Sequence, residues 1–161
     1  MLTLIFGPMY AGKSKYLLKY ATGKYEAYIP EIDTRSGRTI QSRDGEYCTA
    51  NKINENEDFE TKCETIIVDE GQFLSEKQIL TLKEISKKKE VYIGALDTDF
   101  KQEPFPMSRL LFSVADRVIH LTSKCEICGK ENATMSRRKT KSKNLIEIGS
   151  DDYFPICPNC M

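Results

Sequence analysis

Residues 7–14 read Gly-Pro-Met-Tyr-Ala-Gly-Lys-Ser, a complete G-x-x-x-x-G-K-[ST] pattern, and the chemistry it serves is the binding of a nucleoside triphosphate. Gly7 and Gly12 allow the backbone of Pro8, Met9, Tyr10 and Ala11 to curl into an anion nest. Lys13 can reach the β- and γ-phosphates, and the Ser14 hydroxyl can ligate Mg²⁺. A second pair of reactive groups follows at Val68-Asp69-Glu70-Gly71-Gln72. The first acid after an apolar strand is the expected magnesium partner in this class, and Glu70 beside it can accept a proton from an attacking nucleophile.

A third constellation is sulfur. Cys125-x-x-Cys128 and Cys157-x-x-Cys160 are two knuckles able to give four thiolates to a tetrahedral zinc. Four cysteine ligands leave no open position, so the metal is read as structural. Gly129 suits the tight turn after the first knuckle, and Pro158 inside the second pair fits a knuckle better than a redox C-x-x-C at a helix start. The remaining cysteines, Cys48 and Cys63, are isolated and read as ordinary small residues.

These groups need elements to hold them. Leu2-Thr3-Leu4-Ile5-Phe6 is a short apolar run ahead of the glycine loop, read as the first core strand, and Lys15–Ala21 reads as the helix after it. Thr65–Asp69 and Glu90–Leu96 have the continuous apolar character of buried parallel strands. Arg117–Leu121 is a further strand. Helices are expected from Ser75, an N-cap residue, to Ser86, and over Arg109–Ala115. Lys87-Lys88-Lys89 falls where cations favour a helix end. Tyr25–Ile32 is extended, with Pro30 arguing against a long central strand, and residues 33–62 are expected to be mainly a mobile surface loop. The alternation predicts an α/β fold with a mainly parallel sheet and ligands at the strand carboxyl ends. Its boundaries are expected at 1–122 for an ATP-binding domain and 123–161 for a zinc-binding one.

At 161 residues the chain suits one domain or one with a small appendage. A formal net charge of +0 gives no bulk attraction to nucleic acid or anionic membrane. No apolar run approaches the roughly 20 residues of a membrane span, and no basic segment precedes the first apolar stretch as in a signal peptide. The cysteine usage fits metal binding in a reducing compartment, so a cytoplasmic location is expected.

In order along the chain, the glycine loop, Ile32-Asp-Thr-Arg35, Asp69-Glu-Gly-Gln-Phe73, Leu96-Asp97 through Phe100 to Pro104-Phe105, and the cysteine knuckles resemble the zinc-containing thymidine kinase family. The resemblance runs through nearly the whole chain. It implies a RecA-like phosphate-loop domain, a zinc ribbon carrying a lasso-like loop, and transfer of the ATP γ-phosphate to the 5′-hydroxyl of thymidine, with deoxyuridine a second substrate. By the resemblance, Glu70 is the general base, Lys13 and Arg35 hold the transferring phosphoryl group, and Ser14 and Asp69 serve Mg²⁺. Asp33, Thr34 and Arg35 form an arm toward the phosphates, and Gln72 belongs to the same ATP and magnesium set. Met9, Phe73, Leu96, Phe100, Ser136 and Tyr153 surround the nucleoside, together with the main chain of Leu145, Ile146, Glu147, Ile148 and Gly149 in the lasso. Ser136 and Arg138 fit the family pattern A-T-x-[ST]-x-R beginning at Ala133. Pro158 stands where the family commonly has arginine. A homotetramer and feedback inhibition by thymidine triphosphate are also implied.

Two other readings compete. A nucleic-acid-dependent ATPase carries a similar acidic box and often a zinc ribbon, but such motors need two domains and a basic footprint. A nucleotide-binding regulator without catalysis would have no need to keep Lys13, Ser14, Arg35, Asp69 and Glu70 together.

Overall fold

The structure, a computed structural model, describes residues 1–34, 37–99, 101–139 and 153–161. Its centre is a six-stranded sheet in the order β5-β2-β6-β7-β1-β8, parallel at every pairing. The strands are β1 (Leu2–Phe6), β2 (Tyr25–Pro30), β5 (Asn51–Ile53), β6 (Thr65–Val68), β7 (Glu90–Ala95) and β8 (Arg117–His120). β7 stands between the strand that leads into the glycine loop and the strand that ends at Asp69, the RecA-like arrangement expected from the sequence. Parallel neighbours put their carboxyl ends on one edge, so loop and acids meet there.

Burial follows the side-chain alternation of the strands. Leu2, Leu4, Ile66, Val68, Val91 and Ile93 face one side with Ile79 and Leu82 of α2 (Glu76–Ser86) and Leu111 of α3 (Pro106–Val114). Ile5, Ala27, Ile29 and Ile67 face the other with Leu17 of the short α1 (Lys13–Leu18) and Ile40 and Cys48. Ser75 caps α2: its hydroxyl accepts from the Gln78 N–H while Gln78 returns a bond to the Ser75 N–H. Pro106 occupies the first turn of α3, where its missing N–H costs nothing. The lysine run does end α2, and Lys89 reaches back to the Thr61 and Cys63 carbonyls.

Residues 33–62 lie outside strands and helices over most of their described length, but they also hold three short strands that the sequence did not suggest: β3 (Thr39–Gln41) and β4 (Tyr47–Thr49) form an antiparallel hairpin, and β5 closes one sheet edge. Their sequences are polar and only three residues long, so the pairing is fixed by tertiary contact, notably the buried Ile40, Cys48 and Ile53. Pro30 does sit in an internal strand. It is the last residue of β2, and the Glu31 N–H donates to Ile53 on the β5 side. The proline nitrogen therefore faces past the end of β6, where the ladder with β2 stops at Val68.

The start of β1 is pinned electrostatically. Asp116 accepts from the Leu2 N–H at 2.7 Å and from Lys83. The Leu2 hydrogen bond and then Lys83 hold this carboxyl below its ordinary value. A depressed acid adds stability above its unfolded pKa and loses it as pH falls through the folded one. Asp116→Asn is thus expected to melt lower than the parent at pH 7. The gap should narrow as pH falls below the ordinary aspartate value of about 3.9 and through the lower folded one. A gap that stayed the same from neutral pH into that acid range, seen in melts by circular dichroism, would remove the charge from the account.

The cysteine-bearing end has its own small core of Cys125, Ala133, Ile156 and Cys157. It is built on the antiparallel pair β9 (Met135–Arg138) and β10 (Tyr153–Ile156).

Candidate active site

The glycine loop takes its shape from two positions. Gly7 lies at φ 154, and a Cβ there would sit 2.3 Å from the Leu121 carbonyl oxygen. Gly12 lies at φ 84 immediately before α1. Gly7→Ala is expected to push the loop off β8's exit, costing about 1–3 kcal/mol in overpacking and weakening Mg·ATP at least tenfold. Thermal melts with and without Mg·ATP would show both effects, and unchanged ATP stabilisation would contradict the close-approach argument.

Lys13 is buried and its ammonium donates to the Gly7 and Pro8 carbonyls at 3.0 and 2.8 Å, curled over the loop it serves. The Ser14 hydroxyl donates to Asp69 Oδ2 at 2.7 Å, joining the loop to the end of β6 across the intervening strand. Asp69 is almost wholly buried. Burial pushes its carboxyl up to about 6, Glu70 adds to the rise, and the Ser14 hydroxyl, the Glu70 N–H and Lys13 act against it. Close packing keeps the carboxylate in place, for a Cβ on Gly94 would come within 2.9 Å of Asp69 Oδ1. A buried acid beside a hydroxyl, with its ionised form disfavoured, is a donor set a hard divalent cation would complete.

Glu70 follows in the left-handed region, φ 56 and ψ 40, uncommon for a residue with a side chain. Its N–H donates to Asp69 Oδ1 at 2.9 Å. Gln72, in the 3-10 turn Gly71–Phe73, is buried and turned toward Glu70 and Leu96, with Nε2 donating to Glu70 Oε2 at 2.5 Å. Phe73 packs edge-on against Phe105 at 6.1 Å between centroids. Leu96 lies half-buried at the end of β7. Asp33 is buried in the turn after β2, its N–H donating to the Pro30 carbonyl and its own carbonyl accepting from Lys52, while Thr34 beside it is exposed. Arg35, Phe100, Leu145, Ile146, Glu147, Ile148 and Gly149 lie outside the described residues.

The β9–β10 unit is tied directly to the loop. Ser136 Oγ accepts from the Met9 N–H at 2.8 Å, the Ser123 hydroxyl donates to the Tyr10 carbonyl at 3.3 Å, and Gln102 donates to the Ser136 carbonyl at 3.2 Å. Arg138 donates through Nη2 and Nε to the Tyr153 hydroxyl at 2.5 and 3.1 Å, fixing the ring that β10 presents. From the other side the β3–β4 hairpin tip lays Arg43 over the Tyr10 ring at 3.6 Å and pairs Asp44 with Lys15. These tethers escaped the sequence reading, because Arg43 and Asp44 carry no motif and their partners are far away in the chain. A cavity of about 590 Å³ opens between hairpin tip, loop and ribbon, lined by Tyr10, Arg43, Lys124, Lys139 and Tyr153 among others. Asp69 and Glu70 do not line it, so the acids rather than this hollow locate the chemistry.

The four knuckle cysteines converge. Their sulfurs all lie within 4.8 Å of one another, and Cys128 and Cys157 are 3.8 Å apart. Metal–sulfur bonds of about 2.3 Å at tetrahedral angles require sulfurs about 3.8 Å apart, so the set fits a tetrahedral ion. Gly129, at φ 73, closes the first knuckle by donating to the Cys125 carbonyl at 2.9 Å. Burial acts to raise the Cys125 thiol, but N–H groups of Cys128, Cys157 and Ile127 outweigh it and bring it down to about 6.

Fold and site together define an α/β nucleotide-binding domain of the phosphate-loop class, with a four-cysteine ribbon docked on the loop. The chain belongs to the thymidine kinase family, whose model, described as "Thymidine kinase", matches residues 1–161. It is similar to a thymidine kinase of Ureaplasma parvum, 37% identical over 94% of this chain and 77% of that protein. A thymidine kinase of Pseudothermotoga lettingae is 30% identical over 99% of this chain and 93% of its own length. One from Myxoma virus is 29% identical over 98% and 93% respectively. Membership makes the chain a kinase. Among the described residues no helix is long and apolar enough to cross a membrane.

Proposed function

We propose that this kinase transfers the γ-phosphate of ATP to the 5′-hydroxyl of thymidine, and of deoxyuridine as a second substrate, giving the 5′-monophosphate and ADP. The observation that carries the proposal is the join at the loop mouth: Ser14 bonded to Asp69, with the Glu70 carboxylate one residue further on. The backbone of Gly7 to Gly12, with Lys13 and Arg35, holds the polyphosphate. Ser14 and Asp69 hold Mg²⁺, which neutralises charge on the phosphoryl group. Asp33 and Thr34 carry Arg35 toward the phosphates. Glu70 takes the 5′-hydroxyl proton as that oxygen bonds to the γ-phosphorus and the bond to the β-phosphate oxygen breaks. In a loose transition state most of the rate comes from placement and charge.

Met9, Phe73, Leu96, Phe100, Ser136 and Tyr153 surround the nucleoside, and the main chain from Leu145 to Gly149 reads the hydrogen-bonding edge of the pyrimidine. In this reading residues 1–122 are the ATP-binding domain and 123–161 the ribbon, with a structural zinc on Cys125, Cys128, Cys157 and Cys160. A homotetramer in the cytoplasm, inhibited by thymidine triphosphate in the same pocket, completes it. The test is a steady-state assay with Mg·ATP and thymidine, deoxyuridine, deoxycytidine or deoxyadenosine, with single-stranded DNA as a control. Phosphorylation of thymidine and deoxyuridine alone supports the reading. ATP hydrolysis stimulated by DNA, with no nucleoside phosphorylated, overturns it.

A further inference from the structure

Gln72 lies between two strand ends, and each end of its amide has a different partner. Its Oε1 accepts the Leu96 N–H at 3.0 Å. A backbone N–H can only donate, so this bond fixes which way the amide faces. The NH₂ end is therefore presented to Glu70, and Nε2 donates to Glu70 Oε2 at 2.5 Å. Leu96 is held a second time, because its carbonyl accepts the Ser108 hydroxyl of α3 at 2.5 Å, and Ser108 is buried. The turn that carries Gln72 is pressed onto β7: a Cβ on Gly71 would fall 2.4 Å from Ile93 Cγ2. The Glu70 main chain is fixed by its own bond to Asp69.

We propose that Gln72 is a positioning residue for phosphoryl transfer, clamping the Glu70 carboxylate to the backbone of Leu96 so that proton acceptor and nucleoside-facing strand end keep one fixed relation. The proposal rests on the reading of Glu70 as the general base. A free glutamate side chain samples several rotamers, and ordering it in the transition state slows the reaction. Gln72 does that ordering beforehand. It does so against β7 and α3 rather than against the glycine loop, so the base stays in register with the acceptor nucleoside while the loop follows the donor's phosphates. An ångström of misplacement at such a centre can cost on the order of 10²-fold in rate.

A merely structural role, in which Gln72 only ties β6 to β7, makes a different prediction. Gln72→Glu keeps the side-chain length and an oxygen for the Leu96 N–H but removes the donor to Glu70. Gln72→Met keeps length without charge and serves as the second variant should the first fail to fold. In the kinase both are expected to lower kcat by roughly 10- to 100-fold. KM for ATP and for thymidine should each stay within about threefold, the signature of an interaction used in the transition state. In the Glu70→Gln background, Gln72→Glu should have no further effect, since the carboxamide then at position 70 can donate to the carboxylate at 72. Wild-type kcat in both variants, or independent losses that multiply in the double variant, would overturn the proposal. Wild-type turnover of Glu70→Gln alone would instead overturn the general-base reading, so the two failures are told apart.

Discussion

Glu70→Gln is expected to reduce kcat by roughly 10²–10⁴-fold, the usual weight of a general base, and to leave the KM for ATP nearly unchanged. The substitution keeps the side-chain length and an oxygen for the Gln72 amide, which now lies 2.5 Å away. It keeps the left-handed backbone at φ 56, where glutamine meets the same steric limits as glutamate. What it removes is the capacity to take a proton. In the proposed reading the ATP contacts are carried by the glycine loop, Lys13 and the Ser14–Asp69 pair. The change leaves these groups in place, and losing the Glu70 charge removes one of the two influences that raise the Asp69 carboxyl, which favours its ionised, metal-binding form. Rates with saturating thymidine, together with titration of Mg·ATP by calorimetry, separate the two effects. Near-normal turnover would remove Glu70 from the mechanism. Lost ATP binding would show that its role is to hold the donor site.

Cys125→Ser is expected to have the second large effect. Among the described residues the buried apolar core of the ribbon consists of Cys125, Ala133, Ile156 and Cys157, with Met135, Phe154 and Cys160 packed at its edge. Burial on that scale cannot order a unit of this kind, whereas a structural zinc contributes on the order of 10 kcal/mol in small zinc modules. Losing a thiolate should release the metal and free β9 and β10. With them go the Ser136 bond to Met9 and the Arg138 clamp on Tyr153. The thymidine KM should then rise at least tenfold, while the six-stranded sheet, which carries its own two-sided core, keeps its fold. Metal content by atomic absorption and thymidine kinetics check the pair of effects. A variant that kept both zinc and thymidine affinity would contradict a structural role for the cluster.

The parts legible in the sequence were those whose chemistry is local. Eight consecutive residues specify the glycine loop, two acids end an apolar run, and each knuckle spans four residues, so each constellation could be read without knowing its neighbours. The continuous apolar runs of β1, β6 and β7 identified a buried parallel sheet for the same reason. What escaped depends on partners distant in sequence. β3, β4 and β5 have only three residues each and are strands because the sheet and one another pair them. Gln72 belongs to the legible DEGQF element, but its bond to Leu96 spans 24 residues, and only the fold reveals which way its amide faces. The Ser136–Met9 bond spans 127 residues. Pro30 misled because the rule against proline inside a sheet concerns the ladder, and here the ladder has already ended on the side its nitrogen faces.

The most direct test of the account is to follow the label from [γ-³²P]ATP in the presence of Mg²⁺ and thymidine, beside 5′-deoxythymidine, which lacks the accepting hydroxyl. Label recovered in thymidine 5′-monophosphate with the first, absent with the second and much reduced in Glu70→Gln, is the predicted result. Label released only as inorganic phosphate, at the same rate with either nucleoside, would contradict transfer to the 5′-hydroxyl and with it the roles assigned to Glu70 and Gln72.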